Sequence, residues 1–338
     1  MFVVMQPACS GEDVDRVVRL LARCDAIGHV CPGAPHCVIE VLGAGRQVPR
    51  DQLGELPAVA AVVDDPTQVF AICRGPENEL HEVPLGPRAT VGGRRVAVIA
   101  GPCSVEDEGR LLETAHAVAE AGAVGLRGGA FKPRTAPYSF QGLGEDGLEM
   151  LGRVREQTGL AVVTEVMSVA QIEPVRAVAD VLQVGSRNMQ NTPLLRALGE
   201  QDKPVLLKRG WSATLEEFLL AAEYVRQGGS APVILCERGI RTFEDYVRNT
   251  LTLAVVPEVK RRSDLPILVD PSHGTGHAHL VAPMCRAALA CGADGLLIEV
   301  HPSPTQAWSD GPQSLDVTEF RQLMANLKPL AAACDREL

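Results

Sequence analysis

From residue 96 to the end of the chain, short apolar runs alternate with stretches whose apolar residues recur at helical spacing. The apolar runs end at Gly101, Arg127, Glu165, Gly185, Lys208, Glu237, Asp270 and Glu299. Helical stretches between them include residues 108–120, 146–157, 215–226 and 280–290. About eight strand–helix units in this length predict a (β/α)8 barrel over residues 96–338. A doubly wound sheet is the alternative fold, but no glycine-rich phosphate loop follows any of these runs.

Residues 1–65 show the pattern of a small α+β domain instead. Residues 2–5, 37–41 and 59–63 are apolar runs of strand length, residues 12–24 and 51–56 have helical spacing, and residues 31–35 form a turn between two short apolar runs. The order strand–helix–strand–strand–helix–strand predicts a ferredoxin-like fold. Residues 66–95 are then a linker, whose end at 91–95 is expected to form a hairpin turn into the barrel. No catalytic set converges in this domain, so a folding or oligomerisation module and an effector-binding domain are both open interpretations.

The charge balance restricts the binding partners. The chain has 338 residues, 46% of them apolar, and a formal net charge of -10. An acidic surface repels nucleic acids and anionic membranes, so neither is expected as a partner, and no apolar run is long enough to cross a bilayer. The ten cysteines lack zinc-finger or disulfide-framework spacing, and the N-terminus lacks the features of a signal peptide. Reduced thiols and a cytoplasmic location are therefore expected.

Metal-binding side chains follow the predicted strands at their C-terminal ends, which form the active-site face of a barrel. Cys103 follows the first strand, His273 follows the seventh, Glu299 ends the eighth and Asp310 lies just beyond it. In a closed barrel these three strands are neighbours, so the four donors are expected to converge. A thiolate, an imidazole and two carboxylates suit a borderline divalent ion such as Mn, Fe, Co or Zn. A lone cysteine is more often a core residue and a lone histidine is more often a satisfied hydrogen-bond partner, but four such residues at one rim favour a metal site.

Cations are concentrated at the same rim. They are Arg127, Lys132, Arg134, Arg187, Lys208, Arg209, Arg238 and Arg241. In an acidic chain, so many cations at one face predict substrates with more than one anionic group, because guanidinium and ammonium groups bind phosphate and carboxylate. The alternative for each cation is a salt bridge to Glu165, Glu237 or Asp270. A Schiff-base role for Lys208, as in class I aldolases, is a further alternative, but it leaves the metal donors unexplained.

Several short motifs at these strand ends together carry a family resemblance. They are Gly101-Pro102-Cys103-Ser104, Leu126-Arg127-Gly128-Gly129, Lys132-Pro133-Arg134-Thr135, Gly185-Ser186-Arg187-Asn188, Leu207-Lys208-Arg209-Gly210, Cys236-Glu237-Arg238-Gly239 and Asp270-Pro271-Ser272-His273. With them the chain resembles the 3-deoxy-D-arabino-heptulosonate 7-phosphate (DAHP) synthases, most closely the type I-beta branch with an N-terminal ferredoxin-like domain. The resemblance implies a homodimeric or homotetrameric, metal-dependent transferase. Such an enzyme opens the shikimate pathway of aromatic amino acid biosynthesis by condensing phosphoenolpyruvate with D-erythrose 4-phosphate and releasing phosphate.

The resemblance also implies roles for individual residues. Cys103, His273, Glu299 and Asp310 correspond to the metal ligands, Arg127, Lys132, Arg187, Lys208 and Arg238 to phosphoenolpyruvate contacts with Glu165 in the same pocket, and Arg134 and Thr135 to contacts on the aldose phosphate side. Two positions depart from the family pattern: Ala136 stands where a serine is usual, and His277-Ala278 stands where a basic pair is frequent. We therefore assign no role to His277, and none to His279 or His301.

Two other functions compete with this interpretation. The related 3-deoxy-D-manno-octulosonate 8-phosphate synthases use arabinose 5-phosphate and share the barrel and the phosphoenolpyruvate site. They have a Lys-Ala-Asn-Arg-Ser type of loop where this chain has Lys132-Pro133-Arg134-Thr135, which favours the four-carbon aldose here. A non-catalytic barrel that binds sugar phosphates is the other alternative, and the full set of four metal donors argues against it.

The expected chemistry assigns a task to each part of the site. The metal polarises the aldehyde oxygen, and the cations hold phosphoenolpyruvate within attack distance. Lys132 is the expected general acid at the aldehyde oxygen, and Glu165 is the expected group that handles water. Cys103 and His273 belong to the catalytic set as metal ligands. The N-terminal domain is expected to bind phenylalanine or tyrosine as a feedback effector and to occlude the barrel mouth.

Overall fold

The computed structural model describes residues 1–7, 9–31, 37–43, 48–65, 81–229 and 231–338. Most of the turn expected at 31–35, and residues 66–80 of the expected linker, lie outside these ranges. Within them, no helix combines the length and the apolar character that crossing a membrane requires.

The N-terminal part forms one four-stranded antiparallel sheet with two helices. Its elements are β1 (Phe2–Met5), α1 (Gly11–Ala22), β2 (Ile27–Cys31), β3 (Val38–Leu42), α2 (Arg50–Gly54) and β4 (Val59–Val63). The strand order β2-β3-β1-β4 is that of a ferredoxin-like fold. Helix α1 begins with a capping box, in which Ser10 and Asp13 satisfy each other's backbone N–H groups. Its buried residue Leu21 packs with Val3, Met5 and Ile39 of the sheet in a small core of its own.

A short hairpin precedes the barrel and closes its N-terminal end. It consists of β5 (Val83–Leu85) and β6 (Ala89–Val91), which pair antiparallel. The hairpin turn lies at residues 86–88, where Gly86 has a φ of 61°, whereas residues 92–94, where the hairpin turn was expected, form a bend that leads into the barrel. Gly86 supplies the left-handed backbone that the turn needs. Val83, Leu85 and Val91 are buried against side chains inside the barrel.

The remaining chain forms a closed barrel of eight parallel strands. The strands are β7 (Ala97–Gly101), β8 (Gly125–Arg127), β9 (Ala161–Glu165), β10 (Val181–Val184), β11 (Val205–Lys208), β12 (Val233–Glu237), β13 (Ile267–Val269) and β14 (Gly295–Glu299). The helices are α3 (Glu108–Glu120), α4 (Glu145–Thr158), α5 (Ile172–Val178), α6 (Thr192–Gly199), α7 (Leu215–Arg226), α8 (Val255–Arg262), α9 (Pro271–Thr275), α10 (Ala278–Ala290) and α11 (Val317–Ala333). Strand β14 pairs with β7 and closes the barrel. The prediction of a (β/α)8 barrel preceded by a ferredoxin-like domain is confirmed.

Most predicted strand ends coincide with the observed ones, but β10 and β13 end one residue earlier, at Val184 and Val269. The residues that follow them have other tasks. Gly185 begins a short 3-10 turn, and Asp270 caps α9 by accepting a hydrogen bond from the backbone N–H of His273.

Side chains alternate along each barrel strand between the interior and the helix layer. On β7, Ile99 packs in the interior cluster, whereas Val98 and Ala100 pack in the cluster that includes the helices. The same alternation carried to the C-terminal strand ends sends polar side chains into the barrel. They are Arg127, Glu165, Gln183, Lys208, Arg238, Asp270 and Glu299, and all of them are buried. The apolar interior therefore ends in a charged layer at the rim.

Candidate active site

A cavity of about 270 Å³ lies at the C-terminal end of the barrel. It is lined by Arg127, Lys132, Pro133, Arg134, Thr135, Ala136, Ser139, Glu165, Gln183, Gly185, Ser186, Arg187, Lys208, Trp211, Arg238, Arg248, His273 and Asp310. This lining contains every cation that the family resemblance implied. The space is polar and suits small anionic ligands.

The four predicted metal donors meet beside this cavity. Donor atoms of Cys103, Glu299 and Asp310 all lie within 4.8 Å of one another, and the Cys103 thiol donates to Asp310 Oδ2 at 3.3 Å. His273 Nε2 lies 3.3 Å from Glu299 Oε1 and 3.8 Å from Asp310 Oδ2. Barrel closure brings them together, because β7 and β14 are paired and α9 follows the adjacent β13.

His273 is held with one particular nitrogen toward the other donors. Asp270 Oδ2 lies 2.8 Å from His273 Nδ1 and also pairs with Lys208. Burial raises the pKa of Asp270, but His273 and Lys208 outweigh burial and hold it well below its usual value. An ionised carboxylate can only accept hydrogen bonds, so His273 Nδ1 carries the proton. Nε2 then has a free lone pair and can serve as a metal ligand. Burial lowers the pKa of His273 to about 4, which keeps the imidazole neutral.

The donor set fits a divalent cation. Glu299 Oε1 is buried and has no hydrogen-bond partner, although Arg127 Nη2 and His273 Nε2 lie 3.2 and 3.3 Å away. Its other oxygen accepts a 2.6 Å hydrogen bond from Gln313. Burial and the charge of Glu299 raise the pKa of the Cys103 thiol to about 12, so the thiol is protonated unless a cation stabilises the thiolate. A metal ion at this place would give a partner to the unpaired oxygen of Glu299, the neutral imidazole of His273 and the buried thiol of Cys103.

The deep part of the cavity is lined by buried cations. Lys132 Nζ lies 2.9 Å from the carbonyl oxygen of Cys103 and 3.1 Å from its sulfur. Arg127 Nη1 and two nitrogens of Arg238 are buried without any hydrogen-bond partner. Burial lowers the pKa of Arg238. Buried guanidinium N–H groups that lack an acceptor are unfavourable, so this part of the cavity is built to receive an anion.

The salt-bridge alternative is correct for some of the cations. Arg209 donates to Glu237 at 2.9 Å and to the carbonyl oxygen of Ala213 at 3.0 Å, and it does not line the cavity. Arg241 packs over the ring of Trp211 at 4.3 Å. Lys208 pairs with Asp270 but also lines the cavity.

Glu165 is a buried carboxylate with a free oxygen. Its Oε1 has no hydrogen-bond partner, and Gln183 donates to Oε2 at 3.4 Å. Burial raises the pKa of Glu165, and the nearby cations, Lys132 first, oppose this effect. Gly185 makes room for it, because a Cβ atom on Gly185 would lie 2.1 Å from Oε1. The Gly185-Ser186-Arg187-Asn188 motif therefore needs a glycine at its first position, because the Glu165 carboxylate lies too close to Gly185 for any side chain.

We expect Gly185→Ala to lower kcat about 10²-fold, because the new methyl group forces the Glu165 carboxylate out of place. Gly152→Ala is the matched control. A Cβ atom there meets nothing closer than Val178 Cγ1 at 3.6 Å, and the position is inside α4. Steady-state kinetics and thermal unfolding of both variants check this, and wild-type kinetics for Gly185→Ala would contradict it.

The outer part of the cavity is more exposed. Arg187 Nη2 donates to Thr135 Oγ1 at 3.2 Å, and its guanidinium lies 4.7 Å from the ring centre of Trp211. Arg134 lines the same space. Arg248, which no sequence pattern indicated as a site residue, lines it too and lies 3.3 Å from Asp310 Oδ1. Arg248 and Trp211 do not directly follow a strand, so their residue types alone did not indicate that they line the cavity.

The three unassigned histidines lie in two places. His277 and His279 are exposed at the start of α10, with ring centres 5.6 Å apart. His301 is buried and contacts the carboxylate of Glu106 at 3.2 Å.

Comparisons with known proteins identify the family of the chain. The DAHP synthetase I family model matches residues 82–334, and the DAHP synthase ferredoxin-like domain model matches residues 1–64. A phospho-2-dehydro-3-deoxyheptonate aldolase from Thermotoga maritima is 46% identical over 333 residues, which cover 98% of each chain. A 2-dehydro-3-deoxyphosphooctonate aldolase from Nitratidesulfovibrio vulgaris is 32% identical over 268 residues, 74% of this chain and 97% of that one.

Solved structures give the same assignment. The crystal structure of a phospho-2-dehydro-3-deoxyheptonate aldolase (DAHP synthase) from Thermotoga maritima matches with a TM-score of 0.79 at 45% identity, covering 99% of this chain and 98% of that one. A truncated form of the synthase from Thermotoga maritima matches with a TM-score of 0.73 at 47% identity, covering 79% of this chain and 97% of that one. The chain belongs to the DAHP synthetase I family of carbon–carbon-bond-forming transferases.

Proposed function

We propose that the chain condenses phosphoenolpyruvate with D-erythrose 4-phosphate, releases phosphate and forms DAHP, the first step of the shikimate pathway. The observation that carries this proposal is a single cavity with buried, partly unpartnered cations beside a converging set of metal donors. Phosphoenolpyruvate carries two anionic groups on three carbons and fits the deep part. The second substrate brings an aldehyde and one phosphate. The family membership supports the same pair of substrates.

Four buried cations and the more exposed Arg187 would bind phosphoenolpyruvate. The residues proposed for this role are Arg127, Lys132, Arg187, Lys208 and Arg238. The unpartnered nitrogens of Arg127 and Arg238 gain acceptors from its carboxylate and phosphate oxygens. Arg134 and Thr135 would hold the aldose phosphate at the outer part of the cavity. Fixing both substrates in one cavity supplies much of the rate by positioning.

Cys103, His273, Glu299 and Asp310 would hold a divalent ion of the Mn, Fe, Co or Zn type. When bound, such an ion supplies Lewis-acid polarisation of the aldehyde oxygen. Asp270 keeps His273 Nε2 directed toward Glu299 and Asp310.

The protein side chains then handle the protons. The enol carbon of phosphoenolpyruvate attacks the aldehyde carbon, and Lys132 Nζ, 3.1 Å from Cys103 Sγ, delivers a proton to the resulting alkoxide oxygen. Attack leaves positive character at the neighbouring carbon, to which water adds. Glu165, which lines the cavity, orients that water and accepts its proton. The resulting hemiketal phosphate loses phosphate.

A phosphate-release assay with four- and five-carbon aldose phosphates, with and without a chelator, tests this function. We expect turnover with erythrose 4-phosphate, much slower turnover with arabinose 5-phosphate, and loss of activity with the chelator. Faster turnover of arabinose 5-phosphate would instead assign the octulosonate reaction. Binding without turnover of either aldose would indicate a non-catalytic barrel.

For residues 1–65 we propose a regulatory role, in which phenylalanine or tyrosine binds and the domain occludes the barrel mouth. The ferredoxin-like sheet with its own core supports a separable unit. We also propose a homodimer or homotetramer that works in the cytoplasm.

We expect a chain that begins at His81 to keep its activity and lose inhibition by phenylalanine or tyrosine. The truncation should remove residues 1–80 and keep β5, because Val83 and Leu85 fill the lower end of the barrel. Inhibition curves of both chains provide the measurement. Equal inhibition of both would contradict the proposal, and loss of the oligomer with no effector response would indicate a structural role instead.

A further inference from the structure

Two loops at the rim carry metal donors that are far apart in sequence. The loop after β7 carries Cys103, and the loop after β14 carries Asp310. Asp310 has a φ of 53°, a left-handed backbone that non-glycine residues seldom adopt. A backbone of this kind persists only where its surroundings fix it. The contacts that fix it also decide whether the Asp310 carboxylate faces Cys103.

A single buried carboxylate joins the two loops. Glu106 lies three residues after Cys103, and its side chain is only 3% exposed. Its Oε1 accepts a 2.6 Å hydrogen bond from the backbone N–H of Trp308. Its Oε2 accepts from Arg110 at 3.1 Å and lies 3.2 Å from His301 Nε2. Glu106 therefore binds the Asp310 loop near both of its ends.

The hydrogen bonds fix the tautomer of His301. The backbone N–H of Ser303 donates to His301 Nδ1 at 3.0 Å, so Nδ1 has no proton in the neutral ring. Nε2 then carries the proton and donates it to Glu106. His301 is also buried, with 3% of its surface exposed. It thus connects the start of the Asp310 loop to the Cys103 loop by a directed hydrogen bond.

A second contact lies next to the donors themselves. The hydroxyl groups of Ser104 and Ser309 are 2.8 Å apart and both residues are buried. Each serine is the immediate neighbour of a donor, Cys103 in one case and Asp310 in the other. With Glu106 holding the loop and the serines holding its end, the carboxylate of Asp310 has little freedom.

We propose that Glu106 is a positioning residue for the metal site, and that it acts through His301 and the backbone of Trp308 to hold Asp310 against Cys103. Glu106 touches neither the cavity nor the donor atoms, so its effect is on their geometry. This inference rests on the proposed metal site.

Titration of the metal-free protein with Co²⁺ tests the proposal, because thiolate ligation of cobalt gives a charge-transfer band that reports on Cys103. We expect Glu106→Gln to weaken Co²⁺ binding about 10- to 100-fold. The glutamine amide has a similar shape, and its oxygen can still accept the hydrogen bond from the backbone N–H of Trp308. Its NH₂ group then faces His301 and Arg110, which are themselves hydrogen-bond donors, so those two hydrogen bonds are lost. Glu108→Gln is the matched control, since Glu108 pairs at the surface with Arg153. It should bind Co²⁺ like the wild type.

A second pair of variants separates positioning from general loss of structure. In His301→Gln the amide nitrogen takes the place of Nε2 and still donates to Glu106, whereas in His301→Asn the amide oxygen replaces Nδ1 and that donor is lost. We expect His301→Gln to retain most of the Co²⁺ affinity and His301→Asn to lose it as Glu106→Gln does.

The outcomes distinguish this inference from the proposed function. If wild-type protein gives no thiolate–cobalt band, the metal site fails and the inference fails with it. If the wild type binds Co²⁺ and Glu106→Gln binds it equally tightly, only the positioning role is wrong. Equal affinities of His301→Gln and His301→Asn would also overturn it.

Discussion

Cys103→Ser is expected to lower kcat about 10³-fold and to weaken divalent-ion binding strongly. Loss of Lewis-acid assistance worth roughly 4 kcal/mol gives a rate effect of this size. The hydroxyl is a poor substitute because Cys103 is 2% exposed, and its sulfur lies 3.3 Å from Asp310 and shares its site with Glu299. Steady-state kinetics with added Mn²⁺, Co²⁺ or Zn²⁺ and a metal titration of the stripped protein provide the measurements.

Cys285→Ser is the control for this experiment. Cys285 is a fully buried free cysteine in α10, so the same change perturbs the core without touching the donor set. We expect its kcat to stay close to that of the wild type even if its melting temperature falls. Near-normal turnover of Cys103→Ser, or of chelator-stripped wild-type protein, would refute the metal role.

Lys132→Met is expected to lower kcat by about 10² to 10⁴, the usual contribution of a positioned general acid. The methionine has a similar length and no proton to give. Lys132 Nζ sits 3.1 Å from the sulfur of Cys103, so it can reach an aldehyde oxygen held at the metal site. The KM for phosphoenolpyruvate should also rise, because the same ammonium group lines the deep part of the cavity.

The kinetic parameter that changes decides between two roles of Lys132. A raised KM with unchanged kcat would assign it to binding alone. Lys328→Met, at an exposed position of α11, controls for the loss of one positive charge from the protein and should leave both parameters unchanged.

The barrel and most of its site could be predicted because one rule connects them. Residues that end parallel strands meet at one rim, and closure makes the first and last strands neighbours. Cys103 and Glu299 are therefore close although 196 positions separate them, as the register of Glu299 with Gly101 shows. The type of each residue then indicated its chemistry.

Adjacent charged residues needed a second rule. Lys208 and Arg209 both stand at the end of β11, and their positive charge alone predicts the same role for both. Alternation along the strand sends Lys208 into the cavity and Arg209 to the helix side, where it pairs with Glu237. Counting from the inward-facing Leu206 would have separated them.

Other features depend on contacts that no local pattern contains. Arg248 reaches the cavity from the middle of a long loop, and Glu106 meets His301 across 195 positions. The hairpin turn was misplaced because Gly92-Gly93 looked like a turn, whereas Gly86-Pro87 forms it. In each case the tertiary neighbours, and not the residue types, decide the outcome.

The β5–β6 hairpin determines how ligands must enter and leave. Val83, Leu85 and Val91 fill the lower end of the barrel, so within the described residues the cavity opens at the opposite rim. A ligand on the deep cations lies beneath one on Arg134 and Thr135. If phosphoenolpyruvate binds to the deep cations and the aldose phosphate binds to Arg134 and Thr135, as proposed, an aldose phosphate that binds first would block the path of phosphoenolpyruvate. We expect a compulsory order of addition, with inhibition at high aldose phosphate concentration as its kinetic signature.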